Sequence, residues 1–135
     1  MLSNYDRSRG MKILVVDDFP TQRKLVRKTL ASLGFENVEE ATDGQHALEK
    51  LQGTSFDFVI CDWNMPVMMG IELLRAVRSD NRIRKIPFLM VTAEAKRESV
   101  IEAAQAGVTD FIAKPFTVES LQEKMQRILN GEPRS

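Results

Sequence analysis

Along the chain, short wholly apolar runs alternate with longer segments whose apolar side chains recur at helical spacing. Residues 11–16 contain the run KILVV, the pattern of a strand buried on both faces. Pro20 and Thr21 then open a helix in which Val26, Leu30 and Leu33 share one face, and Gly34 marks its end. Residues 37–41 read as a weaker second strand. Asp43 is placed to cap a short helix carrying Ala47, Leu48 and Leu51, closed by Gly53. Residues 56–61 (FDFVIC) predict a third strand that runs into Asp62 and a turn containing Pro66 and Gly70. Ile71, Leu74 and Val77 line the helix that follows.

The alternation then repeats. Residues 87–91 predict a strand, and 95–106 a helix with Val100, Ile101 and Ala104 inward. Residues 108–113 predict the last strand, ending at Lys114–Pro115. A final helix over 118–129 presents Val118, Leu121, Met125 and Ile128 at helical spacing. Five strands alternating with five helices argue an α/β fold, a doubly wound five-stranded parallel sheet with helices on both faces. No composition shift, repeat or low-complexity tract divides the chain, so one domain over 11–130 is expected. Residues 1–10 read as a flexible N-terminal arm and 131–135 as a tail, with no room for an effector domain.

Composition narrows the function classes. At 135 residues, 43% hydrophobic and 28% charged, the chain has an ordinary globular balance. Its 19 basic and 19 acidic side chains cancel without a dominant cluster, so no nucleic-acid partner is expected. No apolar run approaches the roughly 20 residues of a membrane span, and the polar start lacks a signal peptide's apolar core. A cytoplasmic protein without membrane contact is expected. Cys61, the single cysteine, has no disulfide partner within the chain and reads as a small buried hydrophobe. His46 has no second imidazole nearby with which to build a site.

The polar residues that end the strands carry the chemistry. In an open parallel sheet, ligands bind beyond the carboxyl ends of the strands. There the first strand delivers Asp17 and Asp18, the third Asp62, the fourth Thr92 and the fifth Lys114. Loop enrichment in Asp and Thr explains any one of these, but poorly explains the set. Clustered carboxylates repel and need a compensating cation. Mg²⁺ suits oxygen ligands, and Lys114 can pair with a carboxylate at rest and a phosphoryl oxygen afterwards. An aspartate on a rigid strand end can attack phosphorus, while the Thr92 hydroxyl can donate to a phosphoryl oxygen. These residues alone leave three readings open: phosphoryl transfer, a plain Mg²⁺ or Ca²⁺ site, or another small α/β hydrolase.

Order and spacing add a resemblance. VVDDF at 15–19, DWNMP at 62–66, MVTAEAK at 90–96, AAQAG at 103–107 and KPFT at 114–117 are similar to the response-regulator receiver family, specifically its CheY-like chemotaxis branch, over residues 12–129. The resemblance implies the flavodoxin-like strand order 2-1-3-4-5. It also implies a monomeric signalling phosphoacceptor, not an enzyme, with Asp62 taking a phosphoryl group from a CheA-like histidine kinase. Mg²⁺ would be held by Asp18, Asp62 and the backbone carbonyl of Asn64, with Asp17 acting mainly through water. Thr92 and Lys114 would contact the phosphoryl group, and Asn64 and Glu94 would tune its hydrolysis.

Output in this family passes through the fourth helix, fifth strand and fifth helix, where Lys96, Arg97, Ala104, Phe111 and Lys124 match. The aromatic residue at position 111 turns inward as Thr92 moves toward the phosphoryl group. CheY-like proteins carry tyrosine there, so Phe111 lacks the hydroxyl of that handle. Met69 stands where an aspartate is usual, a change that either alters phosphatase recognition and hydrolysis or is a surface substitution. The expected partners are the kinase, the flagellar motor switch protein and a CheY phosphatase. The competing reading is a phosphate sink or non-motor adaptor. A purely structural binding module would be expected to lack one of Asp18, Asp62 or Lys114, and all three are present.

Overall fold

The computed structural model describes residues 2–93 and 96–132. Ten elements alternate: β1 (Ile13–Val16), α1 (Pro20–Ser32), β2 (Val38–Ala41), α2 (Gly44–Gly53), β3 (Phe58–Asp62), α3 (Gly70–Ser79), β4 (Phe88–Thr92), α4 (Arg97–Gln105), β5 (Asp110–Ala113) and α5 (Val118–Leu129). The five strands form one parallel sheet in the order β2-β1-β3-β4-β5. This is the doubly wound, CheY-like arrangement.

Each central strand is apolar up to the site residue that closes or follows it, because it is covered twice. Leu14, Val16, Val59, Cys61, Phe88 and Met90 face α2, α3 and α4. Ile13, Val15, Phe58, Ile60, Leu89 and Val91 face Val26 and Leu30 of α1 and Leu121 and Met125 of α5. Alternation along each strand therefore feeds two separate cores. The helix starts follow local chemistry. Pro20 opens α1, and Asp43 caps α2 by accepting a bond from the His46 N–H at 2.9 Å. Gly34, at φ 92°, turns the chain out of α1 through a left-handed conformation. No helix among the described residues is long and apolar enough to cross a membrane.

Two expectations need correction. Residues 1–10 look like a loose arm by polarity, but Tyr5 is only 2% exposed and belongs to the α1/α5 core. Its ring meets Phe35 edge-on at 5.9 Å, and its N–H donates to Asn130 Oδ1 at 3.0 Å. The Arg9 guanidinium covers both rings. One aromatic anchor thus docks a segment whose average composition is polar. The second correction concerns α4. Ala103 is its buried residue, Val100 is half-buried, Ala104 is exposed and Ile101 is 45% exposed. The apolar side chains of this helix do not all mark its core face.

Candidate functional site

Four strand ends converge at one edge of the sheet. Asp17 and Asp18 follow β1, Asp62 closes β3, Thr92 closes β4 and Lys114 follows β5. The strand order reverses direction between β1 and β3, which opens a crevice beyond their carboxyl ends. Asp17 is 4% exposed, Asp62 7% and Thr92 7%, while Asp18 is half-buried. One oxygen from each of Asp17, Asp18 and Asp62 falls within a 4.8 Å group.

Two buried carboxylates beside a half-buried third need positive charge. Lys114 Nζ lies 3.1 Å from Asp62 Oδ1 and 3.5 Å from Asp17 Oδ2. Burial raises the Asp62 carboxyl above the ordinary aspartate range; the Lys114 bond and charge oppose this, and Asp17 adds to it. The same burial, with the charges of Asp62 and Asp17, pushes the Cys61 thiol well up, so this cysteine is the inert hydrophobe expected.

Backbone contacts hold these side chains in place. Asp17 Oδ1 accepts from the Phe19 N–H at 3.0 Å, and the Arg23 guanidinium donates to the Asp17 carbonyl at 2.7 Å. The Lys114 N–H donates to the Thr92 carbonyl at 2.7 Å, bringing the residue after β5 alongside β4. Asp18 Oδ1 is buried without a hydrogen-bond partner among the described residues. An orphaned carboxylate oxygen beside two other carboxylates is the donor set of a hard divalent cation.

The remaining expected residues are less central. Asn64 is exposed and lines a cavity of about 270 Å³ with Trp63, Thr92, Ala93, Lys96 and Ser99. Glu94 lies outside the described residues. Met69 is the N-cap residue of α3; it is half-buried against the α2/α3/α4 core, and its N–H donates to Glu72 Oε1 at 2.9 Å. It therefore provides helix-start packing beside the site. Lys96, Arg97 and Ala104 are exposed, whereas Phe111 and Lys124 are half-buried.

Two contributors escaped the sequence reading. Arg23 supports Asp17 through a main-chain bond that no side-chain pattern announces. Asp110 is a buried carboxylate paired with Lys124 at 3.3 Å. Its signal was available, as a charged residue opening an otherwise apolar strand.

Residues 13–126 match the model of the response regulator receiver domain. The chain is 57% identical over 118 residues to the chemotaxis protein CheY of Pseudomonas aeruginosa, covering 87% of this chain and 95% of that protein. Its fold superposes on Vibrio cholerae CheY4 with a TM-score of 0.82 at 42% identity, covering 88% of this chain and 98% of the other. It also superposes on the receiver domain of the P. aeruginosa sensor histidine kinase PA1611, a structure with magnesium coordinated in the active-site cleft. There the TM-score is 0.81 at 32% identity, with 89% and 98% covered.

Proposed function

The chain belongs to the response-regulator receiver family, and from that membership we propose that it is a chemotaxis regulator phosphorylated on Asp62 by a CheA-like histidine kinase. As a CheY-like receiver it is a signalling phosphoacceptor, with a cluster of carboxylates able to hold a metal ion. The observation that carries the assignment is the buried Asp62 carboxylate, 3.1 Å from the Lys114 ammonium and grouped with Asp17 and Asp18.

In the proposed reaction an Asp62 oxygen forms a bond to phosphorus as the P–N bond of a phosphohistidine breaks, and the imidazole leaves. Lys114 shifts from the carboxylate to a phosphoryl oxygen, and the Thr92 hydroxyl donates to another. Asp18, Asp62 and the Asn64 carbonyl are the proposed Mg²⁺ ligands, with Asp17 acting through water; the orphaned Asp18 oxygen supports this set. Bound Mg²⁺ would supply neutralising charge for the phosphoryl oxygens. Asn64 and Glu94 tune attack by hydrolytic water.

The output reading is binding of the phosphorylated form to the flagellar motor switch through the α4-β5-α5 face. Phe111, which offers no hydroxyl to a partner, and Met69, where an aspartate is usual, favour a second reading, a phosphate sink or non-motor adaptor. Titrating the protein, with Mg²⁺, against a peptide from the cognate motor switch protein separates the two. Markedly tighter binding with beryllofluoride supports motor control. Absence of binding, with activation independently observed, supports the sink or adaptor.

A further inference from the structure

We propose that the loop between α3 and β4 docks an acidic peptide segment of a partner protein. Arg82, Arg84 and Lys85 would meet its carboxylates, and the cavity beside them would take one apolar side chain. The inference is independent of chemistry at Asp62. The loop precedes β4 and the cavity also borders the approach to β3, whereas Asp62 and Thr92 close those strands at the other end.

Residues 78–86 carry four cations, Arg78, Arg82, Arg84 and Lys85, against one carboxylate, Asp80. Several other basic side chains meet acids: Lys12 and Lys50 share Glu39, Arg23 and Arg27 share Glu40, and Arg75 reaches Glu102. In this loop that balance fails. Arg84 and Lys85 are exposed, and neither side chain has a hydrogen-bond or ion-pair partner among the described residues. Arg82 reaches Asp80 at 3.6 Å, and the same carboxylate also accepts from the Arg82 N–H and from Gln52. The loop therefore keeps excess positive charge on a chain whose formal net charge is zero.

The main chain beneath those charges is held in shape. The half-buried Arg78 guanidinium donates to the carbonyls of Arg84 at 2.9 Å, Ile86 at 2.7 Å and Gly107 at 2.8 Å. The Ile83 and Ile86 N–H groups donate to the Asp80 and Ile83 carbonyls. Arg78 thus fixes the loop through main-chain oxygens without neutralising it. A loop ordered before binding loses less entropy on docking.

Beside the loop lies a cavity of about 350 Å³, within the ~300–1,000 Å³ of ordinary ligand pockets. Buried Leu51 and Ile86 and half-buried Phe56 and Ile83 form its apolar floor. Exposed Arg82 and Lys85 stand at its rim, and no carboxylate lines it among the described residues. An apolar floor under two cations fits an apolar anchor flanked by acidic residues. A nucleic acid fits less well, since no exposed aromatic side chain lines the cavity for base stacking.

Titrating the full chain with a synthetic peptide, a leucine flanked by glutamates, tests this through backbone amide shifts in NMR spectra. Shifts are expected at residues 51–56 and 82–86, and should fade as salt rises. Replacing the peptide's leucine with serine should weaken binding, and replacing its glutamates with lysines should abolish it. The double variant Arg84→Glu, Lys85→Glu should bind at least about 10-fold more weakly, with its other amide resonances unchanged. No shift at those residues, or undiminished binding by the double variant, would overturn the proposal. So would inorganic phosphate or a thymidine oligonucleotide moving the same amides at lower concentration than the peptide.

Discussion

Lys114 Nζ stands 3.1 Å from Asp62 Oδ1 although Asp62 closes β3 and Lys114 follows β5, with β4 between them. The lysine reaches across the end of β4, fixed there by the bond from its N–H to the Thr92 carbonyl. The site thus holds the Asp62 carboxylate under the Lys114 ammonium.

Replacing Lys114 with Ala removes that cation. Phosphorylation from acetyl phosphate should remain measurable, while phosphorylation-dependent partner binding is lost. Mg²⁺ binding, followed by Trp63 fluorescence, should tighten because a competing positive charge is gone. Unchanged phosphorylation-dependent binding in Lys114→Ala would reject the coupling role.

Gly70 begins α3 directly against β3. A Cβ there would meet the Asp62 carbonyl oxygen and lie 2.9 Å from Met90 Sδ. Gly70→Ala should cost about 1–3 kcal/mol in urea unfolding, with the damage concentrated at the site. A neutral effect would mean that α3 can retreat from β3.

Tyr5 ties the N-terminal segment to Phe35 and to Asn130 at the end of α5. Tyr5→Ala should destabilise the domain by on the order of 3 kcal/mol in the same assay. A change below about 0.5 kcal/mol, the range of ordinary surface substitutions, would show that the segment does not dock in solution.

Glu40 should shape the acid limb of stability. Burial raises its pKa, but hydrogen bonds and charge from Arg23 and Arg27 outweigh this and leave it below the ordinary glutamate value. A carboxylate with a depressed folded-state pKa stabilises above its unfolded pKa, about 4.3, and that contribution disappears as pH falls through the lower folded value. Glu40→Gln should therefore flatten stability against pH below about 4.3. Its cost at neutral pH should be no more than about 1 kcal/mol, since the pair is partly solvated.

Much of this was legible in residue order. Uninterrupted apolar runs mark the three central strands because both their faces are covered, and the residues ending those runs gather at the crevice. What was not legible depends on tertiary partners. Tyr5 sits in a polar segment, and only the folded position of Phe35 gives its ring a place. Ile101 looks like a core residue by type but faces outward, because Ala103 occupies the contact with the sheet. Asp110 reads as an odd charge in a strand until Lys124, fourteen positions later, comes within 3.3 Å. Pattern locates the elements; it does not choose the partner of an individual polar group.

The most direct test of the central claim is phosphoryl incorporation from acetyl phosphate in Mg²⁺, read by intact mass and mapped by peptide analysis. A single acyl phosphate on Asp62 is predicted, abolished by Asp62→Ala and by chelating the divalent ion. Persistent labelling of Asp62→Ala, or no labelling of the wild-type protein, would contradict the assignment.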